Sequence, residues 1–124
     1  MKLVSFINEN NTHIGALKEN YITPFSSNPD IPRDMLTFLQ NGDEFFELAK
    51  NLLEYNEKKI PLEDCKLTSP IKRPPKIIAI GLNYQDHLEE IRLLGRDVDD
   101  PEVPMIFNKQ STSVCGPYDS IHDP

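Results

Sequence analysis

Lys76-Ile77-Ile78-Ala79-Ile80-Gly81-Leu82-Asn83-Tyr84-Gln85-Asp86-His87-Leu88-Glu89-Glu90 is the stretch on which the reading of this 124-residue chain turns. Ile77 to Ile80 are apolar without interruption, and three of the four are β-branched, which favours an extended strand. The lack of alternation predicts a strand buried on both faces. Gly81-Leu82-Asn83-Tyr84 is the turn out of it. Gln85 to Gly95 then reads as a short helix with Leu88, Ile91 and, at its end, Leu94 facing inward, and with Asn83 and Asp86 as its capping pair.

Upstream of this stretch, Pro70, Pro74 and Pro75 punctuate an extended connector, because a proline pair cannot continue a helix. A domain boundary is placed near residue 70. Before the connector, Asp43 is read as the cap of a helix carrying Phe45, Phe46, Ala49, Leu52 and Leu53 at helical spacing, with Glu44, Glu47, Lys50 and Glu54 on its wet side. A shorter helix precedes it, with Pro32 in its first turn, Met35, Leu36 and Leu39 on one face, and Gly42 as the stop. Lys2 to Phe6, Thr12 to Leu17 and Tyr21 to Phe25 are three β-prone runs at hairpin distance, with Asn10-Asn11 and Glu19-Asn20 as turns. Downstream, Asp97-Val98-Asp99-Asp100-Pro101 is an acidic loop and Pro104-Met105-Ile106-Phe107 restarts a strand. Ser113-Val114 and Ile121 read as short extended pieces around the turn Gly116-Pro117. The expected class is α+β. Residues 1–70 form a small antiparallel meander with two helices, and residues 71–124 hold the first strands and helix of a second, β-rich domain.

Composition narrows the function. Thirteen Lys and Arg against twenty Asp and Glu give a net charge of −7, and an acidic chain without a basic run is a poor binder of nucleic acid. The longest clean apolar run falls far short of the ~20 residues that span a bilayer. The first residues lack the apolar core of a signal peptide, so the expectation is a cytoplasmic chain, with Cys65 and Cys115 reduced. Eleven prolines exclude one long helix or a coiled coil.

His87 and Glu90 stand three apart, so both can project from one helix face. A carboxylate that fixes a histidine tautomer and stabilises the imidazolium makes a general-base arrangement. On spacing alone the plainer reading of the same two residues is an ordinary solvated first turn, because a His and a carboxylate at this separation occur by chance in many helices. Asp86, His87 and Glu90 also admit a metal reading, but zinc favours three or four ligands with His or Cys prominent, and the chain has three His and two Cys. Carboxylates suit magnesium or manganese, and Asp97, Asp99 and Asp100 are the loop acids that such an ion would use; a run of acids before a proline is otherwise a solvated loop. Gly81 is no phosphate loop, since neither glycine-rich pattern is present. Cys115 lacks an adjoining base and is read as a small buried residue rather than a nucleophile.

The order of these pieces adds a resemblance. Arg73 to Glu90, with Asn-Tyr-x-x-His-x-x-Glu at residues 83–90, resembles the opening of the catalytic domain in the fumarylacetoacetate hydrolase family. Pro104-Met105-Ile106-Phe107-Asn108-Lys109-Gln110-Ser111-Thr112-Ser113-Val114, with Gly116-Pro117-Tyr118-Asp119, is similar to that family's next motif, and Met1 to Phe25 to the small N-terminal domain of its bacterial members. The resemblance implies a β-rich catalytic fold in the second domain and action on β-dicarbonyl acids by carbon–carbon bond hydrolysis, decarboxylation or isomerisation. It also implies that Mg²⁺ or Mn²⁺ stabilises an enolate. It assigns catalytic roles to His87 and Glu90, and substrate contacts to Asn83, Tyr84 and Lys109, with a structural role equally open for Phe107 and Lys109. The family's metal carboxylates lie after the Gly-Pro-x-Asp segment, so no metal ligand is expected within these 124 residues, and no cofactor is expected for the chain alone. Asp119-Ser120-Ile121 stands where Asp-Pro-Ile is more usual. The expected partners are a small β-dicarbonyl acid and either a second copy or the missing C-terminal part, with no nucleic acid and no membrane. The competing reading is a truncated, non-catalytic relative that serves as a binding or assembly module.

Overall fold

The structure is a computed structural model in which residues 1–96, 98 and 101–121 are described. By compactness the chain forms two units, Met1–Arg73 joined by Val114–Pro124, and Pro74–Ser113. The division into domains 1–70 and 71–124 is kept as a proposal; residues 114–121 pack as part of the first unit.

In the first unit, β1 (Lys2–Asn8), β2 (Asn11–Lys18) and β3 (Tyr21–Pro24) form the antiparallel meander, and β4 (Ile60–Pro61) and β5 (Lys66–Thr68) extend it on its two sides in the order β4-β3-β2-β1-β5. Both hairpins close with two-residue turns, because Asn8 pairs with Asn11 and Lys18 with Tyr21. The first turn is therefore Glu9-Asn10 rather than Asn10-Asn11. Glu9, Asn10 and Glu19 take positive φ, the backbone twist that tight hairpins demand.

The register sorts the side chains onto two faces. Leu3, Ile14 and Ala16 face α1 (Met35–Gln40) and α2 (Asp43–Tyr55), where they share a core with Phe25, Ile31, Met35, Phe38 and Ala49. Phe38 is its centre, fully buried, with the rings of Phe25 at 5.0 Å and Phe46 at 5.1 Å. Phe6 and Ile22 belong to the other face and are also fully buried. Gly15 permits this: a Cβ there would stand 3.0 Å from Ile22 Cγ2 and 3.3 Å from Phe6 Cε1, so the missing side chain is the space those two fill.

Helix ends differ from the sequence reading in one consistent way: local hydrogen bonds and glycine geometry override spacing. Helix α1 starts at Met35, not near Pro32, because the Asp34 carboxylate accepts from the Thr37 N–H at 2.9 Å and caps it. Thr37, through its side chain first and its N–H second, holds the Asp34 carboxyl below its ordinary range. Asp43 is the first residue of α2 rather than its cap. Gly42 occupies the cap position at φ +63°, a conformation open to glycine, and Asp43 and Glu44 lie in the first turn near the positive end of the helix dipole.

The return segment is tied down by one aspartate. Asp119 accepts from the Gly116 N–H at 2.8 Å and from Lys66 of β5 at 3.2 Å. Its carboxyl is held below the usual range, first by the Gly116 amide and then by Lys66. Neither Ser113-Val114 nor Ile121 lies in a strand. Ser111–Ser113 is a single 3₁₀ turn, in which the Ser113 amide and hydroxyl both donate to the Gln110 carbonyl and so draw the backbone away from a strand.

The second unit holds β6 (Ile77–Gly81), α3 (Gln85–Leu93) and β7 (Met105–Lys109), with β6 and β7 antiparallel in a two-stranded sheet. The expectation of a strand buried on both faces is overturned. Ile77 and Ala79 are half-buried, while Ile78 (63%) and Ile80 (51%) are exposed together with Ile106 (67%). Residues of a strand alternate between faces, and among the described residues only one face of this pair gains cover. Leu88 is buried and Ile91 half-buried, but Leu94 caps the C-terminus of α3 and is exposed, which corrects its inward assignment. Architecture at this level is α+β.

Candidate functional site

The chemistry-bearing residues of the second unit gather where β6 hands over to α3. Leu82 takes φ +53° in the turn, which reverses the chain, and Tyr84, with extended φ and ψ, is the N-cap of α3. No side chain caps this helix, so the expected Asn83–Asp86 capping pair does not form. The α3 N–H groups of His87 and Leu88 donate to the Tyr84 carbonyl, each at 3.1 Å.

One turn into α3, His87 and Glu90 meet as their spacing requires. His87 Nδ1 lies 3.4 Å from Glu90 Oε2, with the two side chains 52% and 71% exposed. That contact joins one imidazole nitrogen to a carboxylate and leaves Nε2 as a proton acceptor when Nδ1 carries the hydrogen. Both groups are open to solvent, so the pair is reachable by a dissolved molecule.

Asn83 and Tyr84 are exposed beside the pair's helix and border a cavity of about 350 Å³. Ile80, Gln85 and Leu88 form part of its wall, and Glu102 and Pro104 close it from the β7 side; His87 and Glu90 are not in that wall. Gln85 and Glu102 are the residues that sequence reasoning missed. Nothing in the sequence separates Glu102 from an ordinary loop acid, and only the return of the chain into β7 carries it to the cavity. Lys109 is not brought to this place. It pairs with Ile77, at the far end of the ladder from the Gly81–Met105 pair, about 13 Å away at ~3.3 Å per residue.

Among the described residues no three His, Cys, Asp or Glu side chains converge as a metal site. A hard cation takes about six oxygen ligands, and Glu90 offers one carboxylate here. The described residues therefore do not fit Mg²⁺ or Mn²⁺. Asp97, Asp99 and Asp100 lie outside the described residues. Cys115 is exposed, against the expectation of a small buried residue, because the turn that follows it is anchored through Asp119 rather than through the thiol. Cys65 is free and half-buried, and burial, followed by the Asp64 carboxylate, pushes its thiol pKa up. No helix among the described residues is long and apolar enough to cross a membrane.

Comparison with known proteins agrees with the motifs on this scaffold. The family described as "Fumarylacetoacetate (FAA) hydrolase C-terminal" matches residues 76–124. A fumarylacetoacetate hydrolase domain-containing protein 2 homolog of Dictyostelium discoideum is 38% identical over 130 residues, covering all of this chain and 41% of its own length. A mitochondrial oxaloacetate tautomerase of Rattus norvegicus is 39% identical over 93 residues, covering 75% of this chain and 28% of its own length. One of Xenopus laevis is 37% identical over 105 residues, covering 85% and 31%. The chain thus spans well under half the length of the curated relatives it matches. A match to the family over residues 76–124, which run from the second unit into the return segment of the first, together with relatives aligned along most or all of the chain, places it: the chain belongs to the fumarylacetoacetate hydrolase family.

Proposed function

We propose that these residues form part of an enzyme that interconverts the keto and enol forms of a β-dicarbonyl acid of the oxaloacetate type. The supporting observation is the His87–Glu90 pair, a histidine set against a carboxylate on an exposed helix face. Relatives named oxaloacetate tautomerases support the substrate class. In this reading neutral His87 accepts a proton at Nε2 from the carbon between the two carbonyls. The C–H electron pair becomes the new carbon–carbon double bond, the neighbouring carbonyl oxygen takes up the negative charge, and the His87 imidazolium then returns its proton to that oxygen, which restores the neutral base. Glu90 holds Nδ1–H and stabilises the imidazolium that forms. Asn83 and Tyr84 are proposed to contact the substrate from the edge of the adjoining cavity. Lys109, at the other end of β7, is proposed to act structurally. The β-rich fold of the family's catalytic domain is proposed for the second unit, and a second copy or further chain is proposed to cover its open strands. A cytoplasmic location is a proposal, beside the mitochondrial names of the vertebrate relatives.

The test follows tautomerisation of oxaloacetate by the decay of enol absorbance, in the protein that carries these residues. A positioned general base contributes roughly 10²–10⁴-fold, so His87→Ala is expected to lower turnover by that factor, and Glu90→Gln by less. Retention of more than half the activity by His87→Ala would remove the assigned role.

A further inference from the structure

We propose that a cavity in the first unit, beside the start of α1, binds a small organic carboxylate. It measures about 260 Å³, and Ile14, Met35 and Ile71 give it an apolar floor. Arg33, Lys72 and Arg73 stand around it. Three cations sharing one small opening are conspicuous in a chain whose net charge is −7.

None of the three is in an ion pair with a described residue. The carboxylates in ion pairs are bonded to Lys50, Lys66 and His87. Asp119 feels the charge of Lys72, but its oxygens are taken up by the Gly116 amide and Lys66. Asp34 is the one acid in the wall, and it is engaged as the cap of α1, accepting from the Thr37 N–H. Like charges around a common space repel, and an anion between them relieves that repulsion. Guanidinium groups also match a carboxylate in shape, donating two parallel hydrogen bonds.

Two of the four hydroxyl-bearing residues in the wall are engaged, and Thr12 and Ser69 are the others. Ser5 donates to the Pro70 carbonyl at 2.7 Å and Thr68 to the Ser69 carbonyl, so both hold the 68–70 segment in place as a preformed wall. Recognition rests on the cations and the apolar floor together, with Thr12 and Ser69 as further polar groups of the wall. That combination selects an anion with a hydrocarbon body over a fully hydrated one such as phosphate. The volume lies below the ~300–1,000 Å³ that drug-sized ligands fill, which suits an acid of about four to six carbons. The cavity shares no residue with the α3 site, so its occupancy and the catalytic reading stand or fall separately.

The experiment is a heteronuclear NMR titration of the ¹⁵N-labelled full chain with sodium butyrate, neutral butyramide and inorganic phosphate at low salt. Butyrate is expected to shift the amides of residues 33–36 and 68–73 and to saturate with a midpoint of about 1–10 mM. Butyramide and phosphate are expected to bind at least tenfold more weakly. Raising salt to 0.5 M is expected to weaken butyrate severalfold, because exposed charges are screened. The double variant Arg33→Gln/Arg73→Gln is expected to lose saturation while the remaining amide signals keep their positions; both side chains are exposed, so the fold does not rest on them. The single variant Lys72→Gln gives the same reading, with a smaller loss, should the double variant unfold. Equal binding of butyramide would show an apolar hollow only, and equal binding of phosphate a surface charge cluster only. Either result overturns the proposal, as does a linear response to butyrate or an unchanged midpoint in the variants.

Discussion

Gly15→Ala is the sharpest test of how the sheet of the first unit closes. The Gly15 backbone is not in the left-handed region, so alanine meets no conformational obstacle; the obstacle is space alone. A methyl at this position would lie 2.5 Å from the Thr23 carbonyl oxygen, 3.0 Å from Ile22 Cγ2 and 3.3 Å from Phe6 Cε1. The Thr23 carbonyl is part of the β2–β3 ladder and cannot swing aside without disturbing the Ala16–Thr23 pair, and Phe6 and Ile22 are fully buried with no room to retreat. Overpacking of this kind costs about 1–3 kcal/mol. Restricting the unfolded chain returns ~0.4–1 kcal/mol. A net loss near 1–2 kcal/mol is expected, which at an urea slope of about 1–2 kcal/mol/M lowers the unfolding midpoint by roughly 1 M. Circular dichroism at 222 nm with tyrosine fluorescence reads it, since the chain has four Tyr and no Trp. Gly81→Ala is the control. Its nearest contacts would be 3.4 Å and 3.6 Å, ordinary van der Waals distances, and the expected change is within about 0.5 kcal/mol. An unchanged midpoint in Gly15→Ala would refute the close approach of Phe6 and Ile22 over β2.

Phe38→Ala removes the ring at the centre of the aromatic cluster and is expected to cost about 3–5 kcal/mol, seen as loss of cooperative unfolding in the same urea experiment. Asp119 gives a pH dependence of known sign: its folded pKa is lowered, so its contribution is present above the unfolded value of ~3.9 and is lost as pH falls through the lower folded value. The Gly116 amide is therefore expected to keep its hydrogen-bonded chemical shift on acidification to pH ~3.9 and to move only below it; movement centred above that value contradicts the bond. Hydrogen exchange across residues 77–81 is expected to be fast at low protein concentration and to slow as concentration rises, because β6 and β7 each have one strand partner among the described residues and Ile78, Ile80 and Ile106 are exposed. Slow exchange in a strict monomer would contradict that reading.

Local patterns of the chain were legible where one chemical property dominates. The three runs at hairpin spacing became β1, β2 and β3, and the apolar stripe from Phe45 to Leu53 became the buried side of α2. The i, i+3 spacing of His87 and Glu90 fixed their meeting as soon as a helix formed there, since helical neighbours three apart share a face. Only the tertiary structure decided the rest. The sequence could not say that Asp34, rather than the Pro32 turn, starts α1, nor that β4 and β5, two and three residues long, would flank the meander; such short strands have no periodicity of their own. It could not reveal that Glu102 reaches the Asn83–Tyr84 cavity, or that Arg33, Lys72 and Arg73 surround another one. Nor did the unbroken apolar run from Ile77 to Ile80 show which of its side chains would be covered. Periodicity is a property of neighbours along the chain, whereas cover, cavities and unpaired charge depend on groups brought together from distant positions.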